Sequence, residues 1–285
     1  MTKKIIAILM ALSIVFAFAA CGAKDEPDVT EAPTEATEAT ETESTEAPTE
    51  ATEATTETTT ETTTETTTET TTEAAAKAPQ TKEEIVEYFN KSVNMVKSDA
   101  KSAVHHYSKI TLAGNTTLPG ALNGILKLLG GADKFLGDQL AKNSKGEENM
   151  SDLSGFPVEN ESYGSKLTAA DVKSATCEEK DGKYIVSITT VADGKSDSVS
   201  HGQGHAPKAF NAVLPGVVND NIPGVAASMV GLASMNYPSS TAKLVVDIES
   251  GRVEKADYDL YWTINFDKAG AILPFLTSDS YTINW

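Results

Sequence analysis

Cysteine is nearly missing from this 285-residue chain: Cys21 and Cys177 are the only two. A disulfide framework and a paired-cysteine metal site are both excluded by that count. Aromatic residues make up only 6%, and no basic cluster with interleaved aromatics occurs, so the footprint of a nucleic-acid binder is absent. After the first twenty residues no apolar run approaches the ~20 residues that a membrane helix needs. No phosphate loop, nucleophile elbow or zinc-protease helix is written in the chain. Gly202-Gln203-Gly204 does not open a helix after a clear strand. These absences remove the familiar catalytic readings, so a non-enzyme without a cofactor is expected.

What is present begins at the amino terminus. Lys3 and Lys4 precede a run from Ile5 to Ala17 that is apolar except for Ser13, and Ala19-Ala20 follow. A positive start, a short apolar stretch and small residues at a cleavage point define a secretory signal. Phe18-Ala19-Ala20-Cys21-Gly22 resembles the lipobox of bacterial lipoproteins, with Phe18 where leucine is usual. That resemblance implies a diacylglyceryl group on the Cys21 thiol and cleavage before it. Two acyl chains at about 0.8 kcal/mol per buried methylene hold a protein at a bilayer stably, where one holds it marginally. The expected address is therefore the extracellular face of the cell membrane, with the lipid on Cys21 as the membrane partner. A plain signal peptide cut after Ala20, or an uncleaved signal anchor, is the alternative.

The net charge of -18 is unevenly spread. Residues 22–80 hold sixteen acidic side chains against Lys24 and Lys77, so the remainder of the chain is only mildly acidic. From Val29 to Glu73 the sequence repeats Thr, Glu, Ala and Pro, ending in Thr-Thr-Thr-Glu tetrads. So few apolar side chains and one sign of charge cannot offset the entropy of ordering, and a disordered, self-repelling tether is expected. The division is a signal peptide over 1–20, Cys21 and its tether over 21–80, and one globular domain over 81–285.

Thr81-Lys82-Glu83-Glu84 has capping-box spacing. Ile85, Phe89, Val93, Val96, Ala100 and Val104 then recur every three or four residues, which predicts a helix over 82–104. His105 to Leu112 continues it or forms a short strand. Leu122, Ile125, Leu126, Leu129, Phe135, Leu136 and Leu140 form a second stripe broken at Gly130-Gly131, a kinked helix or two short ones over 119–142. Residues 143–166 read as loop. Then the period becomes two. Lys180-Asp181-Gly182 joins the runs 171–179 and 183–191, and Asp-Gly between alternating residues signals a hairpin. A second hairpin runs from Ala242 through Ser250-Gly251 to Phe266, and Tyr281, Ile283 and Trp285 repeat the alternation. Between the hairpins, 198–238 begins polar and Gly-rich with His201-Gly202-Gln203-Gly204-His205 and continues apolar, interrupted by Pro215 and Pro223, either a roof over a cavity or irregular core.

Helices followed by strands give an α+β domain, with N-terminal helices packed on a curved antiparallel sheet. That arrangement resembles the half-barrel of bacterial lipoprotein carriers and their mycobacterial relatives over about 165–285, which implies an apolar ligand on the concave face. Tyr258, Trp262 and Phe266 are the candidate ligand-binding residues. At whole-chain level the Thr/Glu stalk, TKEEIVEYFNKSVNMVKSDA, SKLTAADVKSATCEEKDGKY and the closing SYTINW are similar to a group of cell-surface lipoproteins of anaerobic Gram-positive bacteria, a resemblance that implies the address and no activity. An adhesive or structural envelope role is the alternative.

Histidines occur as His105-His106 and as His201 and His205, four apart. Imidazoles are good ligands for zinc, copper or nickel, so these four are the candidate metal ligands of a less favoured metal-dependent enzyme. Gly202 and Gly204 argue against the helix that would align the second pair, and exposed loop histidines are the plainer reading. Cys177 reads as a quiet strand cysteine, its pKa raised by Glu178-Glu179. The anchor has a direct check. Labelled palmitate fed to producing cells should appear on the protein, and an unlabelled protein would remove the lipid from the account.

Overall fold

The computed structural model describes residues 78–285, apart from 128, 129, 143, 145 and 223. The signal segment, Cys21 and the tether as far as residue 77 lie outside the described residues.

Helix α1 covers Lys82–Asp99 and begins on the expected capping box, with Thr81 Oγ1 accepting from the Glu84 amide at 3.2 Å and Glu84 Oε2 accepting from the Thr81 amide at 3.0 Å. Its buried stripe is Ile85, Val86, Phe89, Val93 and Val96. The helix stops five residues earlier than its apolar spacing suggested. Ala100 turns extended at φ -71° and ψ 146°, and the Lys101 amide donates to the Asn284 carbonyl at 2.9 Å. Pairing with the last strand outcompetes one more helical turn, so Val104 belongs to strand β1, Ser102–Leu112.

Two helices follow, α2 over Gly120–Lys127 and α3 over Ala132–Lys142, separated where Gly130 and Gly131 take positive φ. A three-residue strand β2, Glu148–Met150, interrupts the polar stretch. The first hairpin is β3, Val172–Lys180, and β4, Lys183–Thr190. Its turn residues Asp181 and Gly182 have φ of 52° and 71°, the pair of left-handed residues that a type I′ turn requires. The irregular stretch contains α4, Pro215–Asp220, α5, Gly224–Val230, and β5, Ala233–Asn236. The second hairpin is β6, Thr241–Asp247, and β7, Val253–Phe266, followed by β8, Ala271–Asn284.

All these strands join one antiparallel sheet in the order β2-β1-β8-β7-β6-β4-β3, with β5 pairing the far end of β7. The fold is α+β, an open eight-stranded sheet with a few helices. The closing strand is longer than its last three alternating residues indicated, because it begins at Ala271 and passes through Pro274. Proline is tolerated in this central strand because β1 pairs only as far as Leu112 opposite Phe275. Trp285 is tied in as well, its Nε1 donating to the Val253 carbonyl at 2.8 Å.

The inner face of the sheet is largely apolar: Tyr184, Val186 and Ile188 on β4, Ala242, Leu244 and Val246 on β6, the even residues from Ala256 to Phe266 on β7, and Ala271, Leu273, Phe275, Tyr281 and Ile283 on β8 are all buried, with Thr277 and Asp279 the buried polar residues of the same β8 face. Helix α1 packs against β3, β4 and β7, and α3 packs against β1. Among the described residues no helix is long and apolar enough to cross a membrane. Phe89, with no exposed surface, is central to the α1 contact. Phe89→Ala should cost about 3–5 kcal/mol, the range for deleting a buried ring, read as a lowered urea midpoint at unchanged slope. A loss under about 1 kcal/mol would mean that α1 is not part of the cooperative core.

Candidate functional site

The inner face of β7 and β8 carries the predicted ligand residues. Tyr258, Trp262 and Phe266 are 4%, 1% and 2% exposed, two residues apart or a multiple of two, as strand geometry requires. Trp262 stacks on Phe275 at 4.4 Å, and its Nε1 donates to Thr277 Oγ1 at 2.9 Å. Tyr258 meets three rings edge-on: Phe210 at 5.6 Å, Phe156 at 6.1 Å and Tyr281 at 6.3 Å. Its hydroxyl is buried without a hydrogen-bond partner, and burial drives its pKa far up. A neutral phenol that neither gives nor receives a hydrogen bond costs about 1–3 kcal/mol and calls for an explanation.

At the β1 side of this wall His105 stacks on Tyr281 at 4.3 Å, and its Nε2 lies 2.9 Å from Asp279 Oδ1. Both members of the pair are largely enclosed, with side chains 13% and 10% exposed. Burial raises the Tyr281 pKa, and Asp279 and Tyr258 add to the rise. His106, the next residue, is served by other partners, Glu147 at 3.1 Å and Thr282 at 2.8 Å.

The second histidine pair sits elsewhere. His205 Nδ1 lies 2.8 Å from Asp171 Oδ1, just ahead of β3 at the opposite end of the strand order from β1. His201 Nδ1 is buried without a partner, and burial lowers its pKa despite Glu161 and Glu159 nearby. The structure therefore does not bring His105 or His106 to His201 and His205. Among the described residues no group of three metal-ligating side chains converges.

Asp171 and Asp193 build the loop that holds His201 and His205. Asp171 accepts from Lys208 Nζ at 2.7 Å, from the Thr168 amide at 2.8 Å and from Thr168 Oγ1 at 2.7 Å. Burial alone would raise its pKa, but Lys208, Thr168 and His205 outweigh burial and hold it at about 2. Asp193 accepts the amides of His205 at 2.6 Å and Ala206 at 2.9 Å. Gly204, at φ 70°, permits that approach, because a Cβ there would lie 2.8 Å from Asp193 Oδ1. Between the two limbs of the loop is an open cleft of about 260 Å³, lined mainly by Asp193, Ser196, Ser198, Val199, Gln203 and Tyr237.

Sequence reasoning passed over Asp171 and Asp279. Thr168-Ala169-Ala170-Asp171 does have capping-box spacing, a signal that was available. Asp279 had none, since its partner is 174 positions away. Cys177 is half-buried, and burial rather than the neighbouring glutamates raises its thiol. No protein-family model, curated protein or solved structure matches this chain.

The Asp171 knot makes a pH prediction. Its folded pKa lies below the ordinary 3.8, so its stabilisation is complete above that value and is lost as the pH falls through about 2. A depression of this size contributes about 2 kcal/mol. Asp171→Asn should lose that amount at neutral pH and flatten the acid limb of a stability-against-pH curve from urea melts. An unchanged acid limb would remove Asp171 from the account.

Proposed function

We propose that this chain is an extracellular lipoprotein, held at the cell membrane by a lipid on Cys21, whose domain is a non-catalytic binding module. The ligand is an apolar molecule taken between the helices and a curved, concave sheet face, as the resemblance of the sequence to the lipoprotein carriers implies. The observation that carries the reading is the Tyr258 hydroxyl, enclosed by Phe156, Phe210 and Tyr281 with no partner of its own. An apolar body bearing one hydrogen-bond acceptor is the kind of molecule that would satisfy it. Binding sites of this class are mostly apolar with few polar groups placed to orient the ligand. No reaction is assigned: His105 is committed to Asp279 and stacked on Tyr281.

A second reading, an adhesive surface, draws on a different observation. Leu232 is 72% exposed and Ile272 43%, on either side of the far end of β7, where Ala233 pairs Phe266 and Ile272 pairs Asn265. Exposed apolar side chains grouped this way mark contact surfaces.

The two readings separate in one experiment. Native mass spectrometry of the full chain purified from its producing cells should show a bound lipid beyond the one on Cys21. Tyr258→Phe should reduce its occupancy several-fold while raising or preserving stability, since the change deletes an unsatisfied hydroxyl. A ligand-free mass with an unchanged surface-binding phenotype would favour the adhesive reading.

A further inference from the structure

The open cleft at Asp193 is separate from the aromatic wall, and its chemistry is of another kind. Its first limb is fixed to the sheet: the Ser196 amide and carbonyl exchange hydrogen bonds with Met235 at 2.8 and 2.7 Å, and the Asp193 amide donates to the Tyr237 carbonyl at 2.8 Å. Its second limb is fixed by the Asp193 carboxylate on the amides of His205 and Ala206. A frame pinned on both sides is preorganised, and little ordering entropy is then charged to a ligand.

The groups left over define what it can take. Gln203 Oε1 accepts from the Ser200 amide at 3.3 Å, which leaves the side-chain NH2 to donate. Ser196 Oγ accepts from the Ser198 amide at 3.3 Å and keeps its own proton to give. Ser198 Oγ has no partner among the described residues. No lysine or arginine lines the cleft, and the nearby Lys195 ammonium is committed to Asp267 at 2.6 Å. The only charge an anion would meet in the lining is therefore that of the Asp193 carboxylate, which repels it. A metal cation finds no three-ligand group there, and Asp193 already spends an oxygen on each of two amides. Of the lining, Val199 and the buried ring of Tyr237 are the apolar parts, too little for an apolar ligand.

From this we infer that the cleft is a site for a neutral polyhydroxylated molecule, a saccharide, of single-hexose size. Hydroxyls that both give and receive match a lining of hydroxyl, amide and singly available carboxylate oxygens. The open cleft, of about 260 Å³, has room for one sugar ring, with any further rings lying outside it. The source is either a free sugar or one residue of a longer glycan. The site does not depend on the apolar reading above, because it shares none of that wall's residues.

The test is an amide-resolved NMR titration of the full chain with glucose, galactose and N-acetylglucosamine, and with short oligomers of each. At least one should shift Ser198, Gln203 and Gly204 saturably. Ser198→Ala, and Gln203→Ala, which also gives up the exposed bond from the Ser200 amide, should each weaken it about three- to tenfold, the loss of one hydrogen bond. An oligomer binding more tightly than its monomer marks a glycan as the source, and equal affinity marks a free sugar. Cleft amides that stay still under every neutral sugar, shifts indifferent to both substitutions, or preference for a sugar phosphate would each overturn the proposal.

Discussion

The structure depends on burying the inner face of two paired fourteen-residue strands. β7 and β8 are in register from Lys255 opposite Thr282 to Phe266 opposite Ala271, and every even residue of β7 from Ala256 onward is buried. Full burial of one large apolar side chain contributes about 1.5–3 kcal/mol, and this pair supplies Leu260, Trp262, Ile264, Phe266, Leu273 and Phe275 at once. The remaining elements attach to it. β1 adds on one side, β6 and β5 share the other, and α1 closes over the face with Phe89 and Val93. The exact two-residue period explains why the arrangement is unique: a slip of one position would turn the aromatic wall to solvent.

Where the sequence was legible, the signal was local. Thr81 and Glu84 announced α1, Asp181-Gly182 announced the first turn, and the alternation from Ala242 to Phe266 announced β6 and β7. Each rests on contacts within a few residues. Local signals also misled. The spacing of Ala100 and Val104 fits a helix, yet Lys101 reaches Asn284, and a partner 183 positions away decides the matter. Strand β8 was half-hidden because Pro274 and the polar residues Ser278, Asp279 and Ser280 weaken its pattern. The candidate sites were hardest to read, since His105 with Asp279 and His205 with Asp171 are joined by pairing and not by proximity in sequence. Adjacent His105 and His106 have different partners for the same reason: neighbours on a strand face opposite sides.

Two places in the domain hold the polar groups on which the proposed readings rest. One is the Tyr258 hydroxyl under its three rings. The other is the cleft framed by Asp193, where the Ser198 hydroxyl and the Gln203 side-chain NH2 remain to bond. They differ in chemistry, the first apolar with a single donor, the second hydroxyl-rich and uncharged except for one carboxylate. Under the proposed lipid anchoring, the domain would have both kinds of molecule, acyl chains and glycans, within its surroundings. The Asp171 knot lies beneath the loop that frames the cleft, so the element ordering that loop is also the one that responds to acid.

The central claim is that β7 and β8 are one cooperative unit on which everything else is assembled. Native-state hydrogen exchange of the full chain in low denaturant measures it directly. Amides of β7 from Ala256 to Ile264 and of β8 from Leu273 to Ile283 should exchange only through global unfolding, with the full denaturant dependence. Amides of the edge strand β3 should open earlier and with a smaller dependence. If the β7 and β8 amides instead exchanged through separate openings, or before β3, the sheet would not be organised around that pair.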